Sequence, residues 1–467
     1  MAEIGPVPST GEKKGFAERF LKIFGDVRAG ESVTALILLL DIFLLLASYY
    51  IIKVVREPLV LVSAEKDLQI LLRANIPEWL KSILQIQKGP QLMAGAAACQ
   101  ALLLVGFIPL YSWLASRVKR LYFLIAVTAF FISNIILFYF LSLAKVPFLG
   151  FIFYIWVGIF NVSMIAQFWS FANDVYTKNE GDRLFPIIAI GATAGAPIGS
   201  FIAERLKNWP AFQTILLTAG MLVVFLALSL IVHFREIRTT KNERAVVTAK
   251  VEPMKKGGGF KFVFKNPYIL LLGFLILSLN VVNTSGQFIL GDFIMIKARA
   301  ISPDNMSPIV QGFYGNFQLW SSIVAFLLQA LLVSRIVKYT GIKGVILILP
   351  VVAFGVYGLI GLGAGLAIVK WLKIAENATD YSIMNTGKAM LWLPTAREEK
   401  YKAKQTVDTF FVRFGDFSAA IIFIAGTTVL GLGVRRVAGF NLIIIAVWLF
   451  LTFLVLKKHR KLVSQLE

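Results

Sequence analysis

Hydrophobic windows of about 20 residues recur along most of the chain, the length an α-helix needs to cross roughly 30 Å of hydrocarbon. They predict twelve helices, near 33–60, 90–114, 121–143, 147–172, 184–204, 212–234, 268–294, 310–334, 343–363, 365–392, 405–430 and 438–456. The strands of a membrane β-barrel would be shorter and would alternate, and these windows do neither. The longest polar break, "FREIRTTKNERAVVTAKVEPMKKGGGFKFVFKNP", falls between the sixth and seventh windows. The expected organisation is a tail over 1–32, a six-helix bundle over 33–234, a basic linker over 235–267, a second bundle over 268–458 and a tail over 459–467.

The two sets of six read as parallel repeats. "LASRVKRLY" after the second window and "LVSRIVKYTG" after the eighth both place Ser-Arg and a further cation at a helix end. "WSFAN" (169–173) in the fourth and "YSIMN" (381–385) in the tenth share an aromatic, a Ser and an Asn at equal offsets. Short matches gain weight from their equivalent places in a six-plus-six layout. Two such halves describe a major-facilitator-like, all-α membrane protein with its solute held between them near the midplane.

Composition agrees. Of the 467 residues, 58% are apolar and 16% charged, against about 45–50% and 25% in soluble proteins. The net charge of +21 suggests nucleic acid at first sight, but Lys and Arg collect in the cytoplasmic loops of membrane proteins. With both termini inside, about 30 of the cations fall in tails and inner loops and about 11 in outer loops. No nucleic-acid partner is expected; the partners are the bilayer and a small anionic solute. One cysteine, Cys99, excludes an internal disulfide framework. His233 and His459 stand at helix ends in basic surroundings, so no metal site and no cofactor are expected. "GATAGAPIGS" lacks the Gly-Lys-Ser/Thr of a phosphate loop, and its Gly191, Gly195, Gly199 spacing reads as close helix packing. The first 31 residues hold charges and no apolar core, so no signal peptide is expected. With no transit-like start either, the expectation is a bacterial inner membrane.

Candidate chemistry begins in "LLASYYIIKVVREPLVLVSA" (44–63), where Lys53 and Arg56 interrupt a lipid-grade run. Three apart, they share a helix face. A cation at mid-bilayer costs at least about 2.5–3.5 kcal/mol, so the pair needs a wet cavity or an anion; otherwise both snorkel from the helix end. In the tenth window Lys370, Lys373, Asn377, Asp380/Tyr381, Met384 and Lys388 follow a three-to-four spacing, which makes one face polar throughout. Lys370 and Lys373 could instead lie at the outer interface. In "DTFFVRFGD", Asp408, Arg413 and Asp416 could pair within the bundle. Gln167, Trp169, Ser170 and Asn173 suit an aromatic, polar ligand or ordinary interhelical bonding.

At these residues the chain resembles a family, the NTP/NDP exchange transporters, the ATP/ADP translocases of plastids and intracellular bacteria. The resemblance rests on "FWSFANDVYTKNEGDRLFPIIAIGATAG" (168–195), "DYSIMNTGKAMLWLPTAREEKYKAKQTVDTFFVRFGDFSAA" (380–420), "YIIKVVREPLVLVSA" and "YGNFQLWSSIVAF", and it covers nearly everything from 33 to 458. It implies a nucleotide-binding, ATP:ADP antiporter-type carrier and not an enzyme. Lys53, Arg56 and Glu57 match its first-span charges, and Asn173, Arg183, Tyr381, Ser382, Lys388 and Arg413 match its later motifs. The chain departs from it at Val157 and at Ser285 or Gln287, where the family has acids, and at Asp380, where it has a lysine.

The expected substrate-binding set is Lys53, Arg56, Glu57, Gln167, Asn173, Tyr381, Asn385, Lys388 and Arg413, in a carrier acting as a monomer. The alternative is a carrier of another organic anion, coupled to protons through Asp380 and Glu376. A scaffold or receptor would want a folded module, for which the linker is too short. A lipid-modifying enzyme would want His or paired carboxylates at an interfacial loop, and Glu398 and Glu399 of "AREEK" sit in a run of solvated charges.

Overall fold

The computed structural model describes residues 28, 31–73, 77, 78, 81, 88–240, 259–396 and 403–465. Most of the expected N-terminal tail and central linker, and Glu398 and Glu399, lie outside the described residues. Among the described residues there is no strand. The long helices are α1 (Ser32–Arg73), α2 (Gly89–Ala115), α3 (Arg120–Leu143), α4 (Leu149–Val175), α5 (Lys178–Arg205), α6 (Ala211–Thr240), α7 (Pro267–Ile301), α8 (Ser307–Leu331), α9 (Val333–Gly361), α10 (366–391), α11 (Lys404–Val429) and α12 (Val434–Val463). Among the described residues, ten helices are long and apolar enough to cross a membrane. The two long helices outside that set, α8 and α10, carry polar residues along their buried faces.

Helix α1 corrects the expected first window. It runs past residue 60 and through Pro58 to Arg73. Proline is tolerated in membrane helices because neighbours re-satisfy the freed backbone groups. The added turns are held by Asp67, which accepts from the Ser63 hydroxyl (2.8 Å) and from the Phe148 backbone N–H (3.0 Å) at the start of α4. Lys53 and Arg56 therefore sit in mid-helix, several turns from either end. Helix α7 likewise outlasts its expected window, to Ile301, and starts on an Asn266 cap that accepts from the Tyr268 N–H (3.0 Å).

A glycine seam joins α1 to α5. A Cβ at Gly191, Gly195 or Gly199 would lie 2.1, 2.7 or 2.3 Å from the carbonyl oxygens of Leu39, Phe43 and Ala47. Both sets repeat every four residues, so the two backbones touch along two turns, as small residues at a membrane helix interface permit. The buried Asp41 carboxylate accepts from the Ser229 hydroxyl (2.6 Å) and ties α1 to α6. At the start of α1, Glu31 meets Arg183 of α5 (2.8 Å). Burial pushes the Glu31 carboxyl up, but hydrogen bonds from Arg183 and the Arg28 backbone outweigh it and hold it below the usual carboxylate value. Between α3 and α4, Phe131, Phe138, Phe153, Trp156 and Phe160 pack ring on ring at centroid distances of 5.1–5.6 Å, edge-to-face or offset as the ring quadrupole favours.

In the second half, the Tyr268 hydroxyl at the start of α7 donates to Leu391 O at the end of α10 (2.7 Å). Its ring lies 6.3 Å from that of His459 near the end of α12. The halves meet on the face away from the chain ends. There the Gln91 amide donates to the Thr427 hydroxyl (3.1 Å), joining α2 to α11. The Gln311 amide donates to Ala203 O (2.9 Å), joining α8 to α5. Glu65 of α1 pairs with Arg299 of α7. Toward the chain-end face an apolar gap of about 190 Å³ separates α2 from α11, lined by Val105, Ile108, Pro109 and Phe410 among others. The bundle is thus sealed between its halves on the far face and looser on the chain-end face.

Candidate functional site

Mid-helix in the bundle, beneath the far-face seal, lies a cavity of about 170 Å³ between the halves. The first half contributes Lys53, Arg56 and Glu57 of α1, Gln100 of α2 and Tyr154 of α4. The second half contributes Asn283, Thr284 and Gln287 of α7, Tyr314 and Gln318 of α8, Asn377 and Tyr381 of α10, and Asp416 of α11. The four-residue steps Asn283–Gln287, Tyr314–Gln318 and Asn377–Tyr381 place each pair on one helix face.

The two cations of α1 differ. Arg56 donates to its neighbour Glu57 and stacks its guanidinium 4.0 Å from the centroid of the Tyr154 ring. Lys53 rests its ammonium against Tyr50 (5.2 Å) and, from the other half, Tyr381 (5.9 Å). Such cation–π contacts hold an ammonium in place without offsetting its charge.

Around this space several buried polar atoms have no hydrogen-bond partner in the protein: Glu57 Oε2, Gln100 Oε1, Asn283 Oδ1, Tyr314 Oη, Gln318 Nε2 and Asn377 Oδ1. Buried polar groups are paired in the great majority of cases, and an unpaired one costs the free energy of its lost hydration. The six around this cavity are four acceptor oxygens, one amide N–H donor and one hydroxyl. The rings of Tyr154, Tyr314, Phe288 and Phe317 add flat apolar wall.

Of the residues expected from the sequence, Lys53, Arg56, Glu57 and Tyr381 line this cavity. The others lie outside its lining. Arg413 pairs with Asp416 (3.0 Å), which also accepts from Thr284 (2.7 Å), so Arg413 stands one residue behind the wall. Lys388 faces Asp380 (3.6 Å), and Asp380 accepts from cavity-lining Asn283 (3.4 Å). Gln167 accepts from the Tyr111 hydroxyl (3.0 Å), an α2–α4 bond. Asn173 donates to Trp169 O (2.8 Å) and is exposed, as is Asn385. Glu376 is buried against Lys373 (2.7 Å).

That last pair decides a question left open by the sequence. Lys373 is wholly buried, not interfacial, with the Tyr357 hydroxyl at 3.4 Å. A Cβ at Gly286 would lie 2.1 Å from Tyr357 Oη and 2.4 Å from Lys373 Nζ, so a glycine on α7 is what admits this lysine. Helix α10 turns π-helical over Asp380–Met384, just after the pair. Such turns rotate the following residues and often mark functional sites. Of the two positions weighed on α7, Gln287 lines the cavity, while Ser285 is buried and donates to Asn441 of α12 (2.9 Å). Sequence reasoning missed Gln100, Tyr154, Asn283, Tyr314 and Gln318. The four-residue step from Tyr314 to Gln318 was the available signal, but uncharged polar residues in apolar helices are also common packing elements.

No family model matches the chain. Among curated proteins, it is 22% identical over 337 residues to ADP,ATP carrier protein 1 of Chlamydia pneumoniae, covering 62% of this chain and 63% of that one. It is 23% identical over 300 residues to ADP,ATP carrier protein 2, chloroplastic, of Arabidopsis thaliana, covering 56% of this chain and 46% of that one. The chain thus spans less than two thirds of the length of these relatives. The resemblance seen in the motifs is met by curated homologues of that name, at low identity. Among solved structures, a bacterial homologue of the human lysosomal transporter Spinster, inward-facing and unoccupied, superposes with a TM-score of 0.61 at 14% identity, over 94% of this chain and 99% of that one. The fold is a multi-pass, major-facilitator-like helical bundle.

Proposed function

We propose that the protein is a secondary-active carrier that moves a nucleotide or a similar phosphorylated anion across a membrane by alternating access. The observation that carries this reading is the cavity between the halves, where unpaired Lys53 faces a ring of partnerless polar atoms. Charge-assisted bonds from an ammonium to phosphate are strong and short. The aromatic and amide wall suits a flat heterocycle. The carriers named above support the nucleotide class. In this reading the membrane is a bacterial inner membrane, both chain ends are cytoplasmic and the carrier works as a monomer. The described state is then closed outward. Rocking of the halves breaks the contacts of Gln91, Gln311 and Glu65 and closes the chain-end side. An empty carrier holds an uncompensated Lys53 in the closed intermediate, which slows its return and favours exchange over net flux.

The test is uptake of labelled nucleotide into proteoliposomes preloaded with nucleotide, with phosphate or with nothing. Uptake that needs internal nucleotide is expected, and Lys53→Gln/Arg56→Gln should abolish it. Counterflow unchanged in that double variant would sink the reading. The link from Asn283 to Asp380 also favours a second version, proton coupling through Asp380 and Glu376. That version requires uptake that follows an imposed pH gradient and loses this dependence in Asp380→Asn.

A further inference from the structure

The charges around the cavity nearly cancel. Arg56 is committed to Glu57, and Asp416 to Arg413 at 3.0 Å. Next to the wall, α10 adds two further pairs, Lys373 with Glu376 and Lys388 with Asp380, and no net charge. Among the described cations of the wall, Lys53 alone has no carboxylate within ion-pair distance. The wall and its paired groups therefore carry one positive charge in excess.

From this balance we infer that the cavity is built for a solute with a single phosphoryl group, a nucleoside monophosphate, and discriminates against di- and triphosphates. The inference rests on the nucleotide reading above and narrows it. A phosphate monoester carries about −1.5 to −2 charges at pH 7, most of which the one free ammonium meets. Every further phosphoryl group adds a charge with no free cation to meet it. Arg56 or Arg413 could reach it only by leaving its own carboxylate, which would strand Glu57 or Asp416 unpaired beside the new charge. The carboxylates already facing the space, Glu57 and Asp416, repel the same groups. At the other end, the amides of Asn283, Gln318 and Asn377 and the Tyr314 hydroxyl offer the unpaired donors and acceptors that a base edge needs.

The experiment is competition binding on the purified full chain in Mg²⁺-free buffer. The probes are adenosine, AMP, ADP, ATP, glucose 6-phosphate and glucose 1,6-bisphosphate. AMP is expected to bind about tenfold or more tightly than ADP or ATP, because each extra buried charge lacks a partner. Lys53→Gln should erase the preference for AMP over adenosine, and Lys53→Arg should keep it. Asp416→Asn raises the excess to two and should move selection toward ADP. ADP or ATP binding as tightly as AMP would overturn the inference and leave the nucleotide reading standing. No nucleotide bound, with glucose 6-phosphate preferred over the bisphosphate, would remove the nucleotide but uphold the single phosphoryl group. No probe bound by a folded protein would overturn both.

Discussion

Lys53 and Arg56 share a helix face, yet only Lys53 is left without a carboxylate. The difference is local: Glu57 follows Arg56 directly and engages it. Lys373 shows the other fate of a buried cation, a short ion pair with Glu376 in a space cleared by Gly286. Removing one member of such a pair leaves an uncompensated charge and costs about 3–5 kcal/mol, whereas replacing both by apolar groups can be neutral. Lys373→Met alone should therefore lower the unfolding temperature of the detergent-solubilised protein sharply. Lys373→Met with Glu376→Leu should regain most of it. Equal stability of the single variant and the parent would show that the pair is not structural.

At the scale of elements, α1 organises the first half: it meets α5 along a glycine seam, holds α6 through Asp41 and anchors α4 through Asp67. Close packing on α5 was legible as a four-residue glycine repeat, because small residues at that spacing let a neighbouring backbone approach, but its partner α1 was not legible. Gly195→Val has no room against Phe43 O, so it should cost the monodisperse, folded protein in size-exclusion chromatography. Gly355→Ala on α9, where an added Cβ meets nothing within 4 Å, should be silent. If Gly195→Val behaves like Gly355→Ala, the seam is not a close contact in the membrane. The polar face of α10 was legible too, but not its break. A π turn leaves no periodic mark in side-chain polarity, and it changes which of Asp380, Tyr381 and Lys388 reach the cavity.

For the whole molecule, transport by alternating access requires the far-face contacts to part in every cycle. A Gln91→Cys/Thr427→Cys variant in a Cys99→Ser background, closed by a short bifunctional thiol reagent, should hold the halves together and reduce exchange to background. A reducible reagent should restore exchange on reduction. Full exchange by the cross-linked protein would mean that the seal between α2 and α11 does not open.

Apolar window length by itself determined that the chain crosses a membrane as helices, since lipid leaves the backbone no other way to satisfy its hydrogen bonds with these window lengths. Repeats pointed to two sets of helices, and helical spacing pointed to the face bearing Lys53 and Arg56 and to close packing at Gly191, Gly195 and Gly199, while the partner of that glycine face, α1, came from the fold. Part of the charge balance is local, since Arg413–Asp416 and Lys373–Glu376 are three-residue steps on one helix. Only the fold showed that Lys373 is buried together with its partner and that Lys388 meets Asp380, because burial and the helical break over Asp380–Met384 are not properties of spacing. The wall from Gln100, Tyr154, Asn283, Tyr314 and Gln318 also exists only there, since it is assembled from four helices whose side chains converge by packing and not by sequence spacing.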